Sequence, residues 1–193
     1  MTLDENFWSK RYIEQSTGWD IGYPSDPLVD YIDTLEDKSI KILIPGAGNA
    51  YEAEHLWKLG FGNTTVIDLA REPLENLRSR IPSIPAGQLI QGNFFDHFGQ
   101  YDLILEQTFF CALDPKLRPQ YVAHMNDLLA PNGRLVGVLF DFPKTEQGPP
   151  FGGSREEYQE LLSPTLDIKV LERCYNSIKP RQGSELFLIA EKH

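Results

Sequence analysis

The sequence predicts an α/β fold, a mostly parallel sheet with helices on both faces, and three features carry the prediction. Short apolar runs of strand length alternate with longer amphipathic stretches along the chain, the order that builds βαβ units. Those runs are apolar at nearly every position rather than every second one, as strands covered on both faces must be. And in "KILIPGAGNAYEAEHL" (41–56) a β-branched run is set directly against Gly-Ala-Gly and then a helical pattern, the junction at which such sheets bind ligands.

Five runs read as the parallel strands: "SIKILIP" (39–45), "NTTVID" (63–68), "GQLIQG" (87–92), "YDLILEQ" (101–107) and "GRLVGVLF" (133–140). Helical stretches between them fall at 49–59, 71–80 and 116–129, the last opened by Asp114-Pro115 and closed by Pro131-Asn132-Gly133. "LDIKVLERC" (166–174) and "SELFLIAEK" (184–192) alternate in part and are joined by "YNSIKPRQG", which reads as an antiparallel pair finishing the sheet. Two segments stand outside this alternation. The arm over residues 5–35 is rich in aromatics, and 141–158 carries too much Pro and Gly for a regular element over its centre. A long irregular loop of that kind is often a lid or a binding loop. One domain spanning 1–193 is expected, with 1–35 as an aromatic cap and 141–158 as a substrate-side loop.

Composition narrows the function. With 18 Lys and Arg against 28 Asp and Glu, the formal charge is −10, which repels a phosphate backbone and argues against a nucleic-acid partner. Cys111 and Cys174 are far apart, and the four histidines are scattered, so no metal site is expected. The polar, acidic start "MTLDENFWSKRY" is unlike a signal peptide, and no apolar run reaches membrane length. A cytoplasmic protein, with a monomer favoured, is the expectation.

A glycine after a parallel strand lets the chain turn tightly into a helix, and a second lets a ligand approach the backbone. Gly46 and Gly48 stand at those places, and Asp68 ends the next strand, where an acid accepts hydrogen bonds from ribose hydroxyls. A dinucleotide fingerprint wants a third glycine where this chain has Tyr51, followed by Glu52. An aromatic and an acid suit a cationic amino acid group better than a pyrophosphate, as in S-adenosylmethionine; Glu52 alone reads equally well as a solvated acid favoured by the helix dipole. After the third strand, "QGNFFDHF" (91–98) offers an Asn and two Phe to an adenine. The fourth strand ends in Glu106, Gln107 and Thr108.

Taken together, "FWSKRYIEQSTGWDIG", "IPGAGNAYEAEHL", "VIDLA", "QGNFFD", "EQTFFCALDPKLRPQY" and "GPPF" resemble the thiopurine S-methyltransferase superfamily, and within it the thiol and halide methyltransferases. The resemblance implies a Rossmann-like, seven-stranded S-adenosylmethionine-dependent methyltransferase sheet, its last strand antiparallel, with an N-terminal helical cap. It implies Gly46 and Gly48 under the methionine part of the cofactor, Asp68 on the ribose and Asn93 and Phe94 at the adenine. It sets Glu106 and Thr108 near the sulfonium, with Trp8, Tyr12 and Trp19 closing over the cofactor. Glu106, Thr108 and Tyr12 are the catalytic candidates. The family commonly has Asp where Asn93 stands and Trp where Tyr12 stands. The halide branch usually has Asp-Tyr in place of Glu106-Gln107.

The expected reaction is methyl transfer to a small soft nucleophile: a thiol, thiopurine, bisulfide, thiocyanate or halide. Arg181 and Arg155 are candidate cations for drawing in an anion, each otherwise a surface arginine, and Cys111 reads as a buried, inert thiol. Two other functions compete: a nicotinamide-dependent oxidoreductase on a similar sheet, and a protein that binds S-adenosylmethionine without turnover.

Overall fold

The computed structural model describes residues 2–193. Seven strands form one sheet: β1 (Ile42–Pro45), β2 (Thr64–Asp68), β3 (Leu89–Gln91), β4 (Tyr101–Gln107), β5 (Leu129–Phe140), β6 (Leu166–Arg173) and β7 (Glu185–Lys192). Their order is β3-β2-β1-β4-β5-β7-β6. The first five pair in parallel, and β7 runs antiparallel to both β5 and β6. Six α-helices lie among the described residues: α1 (Glu5–Ile13), α2 (Asp26–Ile32), α3 (Tyr51–Lys58), α4 (Arg71–Arg80), α5 (Arg118–Leu128) and α6 (Arg155–Leu162).

The near-continuous apolar runs have the expected cause. Successive side chains of a strand point to opposite faces, and here each face has its own core. Ile42 and Ile44 of β1, Leu103 and Leu105 of β4, and Val136 and Val138 of β5 join Leu28, Leu56 and Leu77 from α2, α3 and α4. Leu43, Ile104, Leu135 and Leu139, on the same strands, join Tyr121 and Met125 of α5 and Tyr158 and Leu162 of α6. Helices therefore cover both faces.

Two features depart from the sequence reading, and a third lay outside it. The strand expected from 133 begins at Leu129, because Asn132 takes a left-handed φ of 61° and lets Pro131-Asn132-Gly133 pass as an irregularity inside β5. Its register against β4 jumps there, from Tyr101↔Leu129 to Leu103↔Arg134. The irregular segment is shorter than 141–158, since Ser154 caps α6 through the Glu157 amide and the helix begins at Arg155. Finally, α1 buries none of its residues against the sheet. Asp4 caps it by accepting the Phe7 amide at 3.0 Å, and Gln91 Nε2 at the end of β3 donates to Glu5 at 3.0 Å. Among the described residues no helix is long and apolar enough to cross a membrane, and no group of three or more His, Cys, Asp or Glu could hold a metal ion.

Candidate active site

The carboxyl ends of β1, β2, β3 and β4 open into one cavity of about 1700 Å³. On its near side lies the turn between β1 and α3. Gly46, Gly48 and Ala50 have φ of 54°, 55° and 54°, left-handed values that strain a residue with a Cβ. At Gly46 the requirement is also spatial, because a Cβ would come within 2.1 Å of the Phe109 ring. A Cβ on Gly48 would sit 3.6 Å from both Trp19 Nε1 and the Tyr12 hydroxyl, so the aromatic arm lies directly over this turn.

Asp20 clasps the arm to the turn. Its carboxylate accepts from Asn49 Nδ2 and, at 3.5 Å, from the Tyr51 hydroxyl, while its other oxygen accepts the Gly22 amide at 2.7 Å. Asn49 in turn accepts from Asn76 Nδ2 at 2.8 Å, and Arg80 donates to the Asn49 carbonyl while standing 4.8 Å over the Tyr51 ring. Trp19 meets Trp8 and Tyr12 edge to face, with centroids 5.6 and 5.8 Å away. Tyr51 and Glu52, the pair that breaks the dinucleotide pattern, thus both work on the arm. Glu52 is neither solvated nor open to the cavity: it is buried and accepts the Ser25 amide at 2.8 Å.

Asp68 lines the cavity at the end of β2. One oxygen accepts the Ala70 amide at 2.9 Å; burial pushes the carboxyl up to about 6, against the pull of the Ala70 and Gly48 amides. Burial, and then the carboxylates of Asp68, Asp20 and Glu72, raise the Tyr12 hydroxyl well above its ordinary range. Tyr12 is therefore a fixed hydrogen-bonding hydroxyl and not a base. Asp68 on the cavity wall, with Asp20 and Glu72 close enough to act on Tyr12 from behind it, makes this side of the site negative, a setting hostile to pyrophosphate and suited to a ligand bearing ammonium and sulfonium groups.

Asn93 reaches the cavity after β3, its Oδ1 taken by the Phe95 amide at 3.2 Å and its Nδ2 by Asp96 at 3.2 Å. Phe94 also lines the cavity, but is only 4% exposed; its ring packs against Phe95, Phe109 and His124. Phe95 and Leu69 extend that wall. At the end of β4, Thr108 holds φ at 57°, an outlier for a β-branched residue and a strained one. Its carbonyl accepts from Cys111 Sγ at 3.3 Å.

The structure separates Glu106 from this company. Its carboxylate is not on the cavity wall; it turns inward, with Oε1 accepting the Phe109 and Phe110 amides at 2.9 and 3.1 Å. Oε2 has no partner, and burial pushes the group up to about 7. Glu106 thereby fixes the short turn 110–112 together with Phe109 before it, and so the cavity-facing Phe109 and Cys111. Gly137 of β5 leaves room for it, since a Cβ there would meet the Glu106 Cβ at 2.7 Å.

On the far side, residues 145–151 line the cavity together with Phe140, Cys111 and Arg181. Burial raises the Cys111 thiol far above its ordinary range, so it stays protonated. Arg181, one of two candidate cations, is brought in: its side chain is 13% exposed, Nη2 donates to the Trp19 carbonyl at 2.8 Å and Nη1 lies 3.5 Å from Glu185. Arg155 is exposed at the start of α6, away from the cavity. Sequence reasoning missed Asp20, Leu69 and Phe109. All three lie in the motifs quoted above, Asp20 directly after Trp19 in the arm, Leu69 after Asp68 and Phe109 after Thr108, with nothing in the residue types to single them out.

The glycine turn, the buried carboxyl of Asp68 at the end of β2 and the aromatic arm over both fit S-adenosylmethionine, and this sheet with this site is that of an S-adenosylmethionine-dependent methyltransferase. The profile of the Thiopurine S-methyltransferase (TPMT) family matches residues 3–192, and the chain belongs to that family. It is 27% identical over 185 residues to a probable thiol methyltransferase 2 of Arabidopsis thaliana, covering 92% of this chain and 81% of that one. It is also 27% identical over 205 residues to a thiopurine S-methyltransferase of Acinetobacter baylyi, covering 94% of each. Among solved structures, a Burkholderia thailandensis 1,6-didemethyltoxoflavin-N1-methyltransferase with bound 1,6-didemethyltoxoflavin and S-adenosylhomocysteine superimposes with a TM-score of 0.78. That match has 19% identity and covers 97% of this chain and 86% of the other, a likeness of fold.

Proposed function

We propose that this methyltransferase acts on a small soft nucleophile, in the class of a thiol, a thiopurine, bisulfide, thiocyanate or a halide. The observation that carries the reading is the far side of the cavity: the largely buried guanidinium of Arg181 set into a wall of Phe140, Phe109 and residues 145–151. Such a wall favours a polarisable anion over a hydrated, hard one. Tyr12 and Cys111, the hydroxyl and thiol on the wall, are both held protonated. Neither takes a proton from the acceptor, which suits one that reacts as a ready anion or through a lone pair already available. The family membership and the relatives' names, one a thiol and one a thiopurine methyltransferase, point the same way.

In this reading the Gly46–Gly48 turn receives the methionine part of the cofactor, Asp68 the ribose hydroxyls, and Asn93 with Phe94 the adenine. S-adenosylmethionine supplies a methyl group on a positively charged sulfur that is its own leaving group. What the chain adds is position and dryness. Trp8, Tyr12 and Trp19 cover the cofactor and favour its charge with their ring faces. Thr108, held in a strained conformation, presents its side chain at the sulfonium end. Glu106 serves from behind, by holding the turn after Thr108.

The test is release of S-adenosylhomocysteine, followed by mass spectrometry, from protein and S-adenosylmethionine with iodide, thiocyanate, bisulfide and a thiopurine in separate tubes. Release above the acceptor-free blank with at least one is expected. Silence in all four, with S-adenosylhomocysteine binding shown by calorimetry, would overturn the acceptor class.

A further inference from the structure

Arg118 is among the largest fully buried side chains of the molecule, 1% exposed, and although it falls within "EQTFFCALDPKLRPQY" nothing above gives it a role. A guanidinium cannot lose its charge and is costly to desolvate, so its contacts say what it is for. It stands at the first position of α5 and touches three separate parts of the acceptor half. Nη2 donates to the Gly152 carbonyl at 2.8 Å, Nη1 pairs with Glu157 of α6 at 2.7 Å, and the guanidinium lies 4.6 Å over the ring of Phe110. From the solvent side, Lys144 reaches the same Glu157 oxygen at 2.8 Å.

These contacts converge on the irregular loop. Residues 145–151 line the cavity, and the loop is pinned at its far end: the Phe151 amide donates to the Cys111 carbonyl at 2.7 Å and the Gly153 amide to Phe142 at 3.0 Å. Gly152 admits no side chain, since a Cβ would lie 2.4 Å from the Phe142 carbonyl oxygen. Between those two amides the Gly152 carbonyl faces inward, and Arg118 is what satisfies it. We propose that Arg118 is a positioning residue that shapes the acceptor chamber, holding loop 141–153 against the turn 110–112 so that its inner surface becomes the chamber wall. The inference rests on the acceptor side proposed above, yet concerns the wall and not the identity of the acceptor. An isolated buried ion pair is a poor source of net stability, whereas a planar fork bound to a backbone carbonyl, a carboxylate and a ring face fixes three elements at once.

Hydrogen exchange read by mass spectrometry on the full chain tests this without an acceptor. Arg118→Lys keeps the charge but cannot donate to Gly152 and Glu157 while lying flat on Phe110. It is expected to speed exchange of the Phe151 and Gly153 amides at least tenfold. Peptides over 42–48 and 64–70 should exchange as in the wild type, and the S-adenosylhomocysteine dissociation constant should stay within twofold by calorimetry. Unchanged exchange in the loop, or equal acceleration in all peptides, overturns the proposal. Should Arg118→Lys fail to fold, Glu157→Ala decides on the same amides, because it removes the acceptor of Nη1 at a partly exposed position: faster loop exchange supports the role, and none refutes it. Silence of the acceptor panel leaves these readouts untouched, so the two readings fail separately.

Discussion

Arg181 and Trp19 stand 162 positions apart in the chain, yet the guanidinium Nη2 donates to the Trp19 carbonyl at 2.8 Å. The bond ties the arm over the glycine turn to the wall of the acceptor chamber, so the two halves of the cavity share one residue. A charge-assisted bond to a backbone carbonyl in a largely buried place is a strong one.

Removing it should therefore be felt on both sides. Arg181→Ala is expected to raise KM for an anionic acceptor at least tenfold and weaken S-adenosylhomocysteine binding by a few-fold, the first through lost charge and the second through a looser arm. Arg181→Lys should recover part of the first effect and little of the second, since an ammonium lacks the planar fork. Steady-state kinetics and calorimetry separate them. A change in neither would reduce Arg181 to a wall residue.

Asp68 gives a prediction with a sign. Its carboxyl titrates near 6, raised by burial, while ribose hydroxyls donate best to the ionised form. Affinity for S-adenosylhomocysteine should rise as pH climbs through about 6 and level off above it, because at lower pH the ligand must first displace a proton. Asp68→Ala should weaken binding at least tenfold and Asp68→Asn should flatten the pH dependence. Calorimetry from pH 5 to 8 reads both, and an unchanged profile in the Asn variant would mean the ribose is held elsewhere.

Glu106 gives a prediction about stability. Its pKa is about 7 in the folded chain against an ordinary 4.5, so the native state binds the proton more tightly than the unfolded one. The group is harmless below about 4.5 and becomes a burden as pH rises through 7, where an unpartnered oxygen must carry charge in the core. The full effect is of order 3 kcal/mol. Glu106→Gln keeps an oxygen for the Phe109 and Phe110 amides and cannot ionise. The wild type should lose thermal stability relative to this variant between pH 5 and 8, and parallel melting curves across that range would contradict the assignment.

Residues also differ in how far their roles could be read in advance. Strands β1 and β4 were legible because burial on both faces leaves a near-continuous apolar run, and β2 because its β-branched residues end in an acid. The turn at Gly46 and Gly48 was legible because left-handed backbone selects glycine, and Asp68 because it ends the next strand. Glu52 and Glu106 were not, since an acid on a helix or strand looks the same whether it faces solvent, a ligand or orphaned amides across the fold. Only the path of Ser25 and of the 110–112 turn turns these carboxylates inward. Arg118 was hidden for the same reason: its partners Gly152 and Glu157 lie far along the chain.

The arm supplies the remaining prediction. α1 buries nothing against the sheet, whereas its Trp8 and Tyr12 face the cavity beside Trp19. The strands draw their cores from residues beyond the arm's first half, beginning at Leu28. Deleting residues 1–20 removes the three aromatics and the Asp20 clasp on Asn49 without opening either core. The truncated chain should keep its circular dichroism and a cooperative melt, bind S-adenosylhomocysteine at least tenfold more weakly and lose turnover. Losing the fold would make the arm structural. Full turnover in the truncation would show that the cofactor needs no cover, and the roles given to Trp8, Tyr12 and Trp19 would fall together.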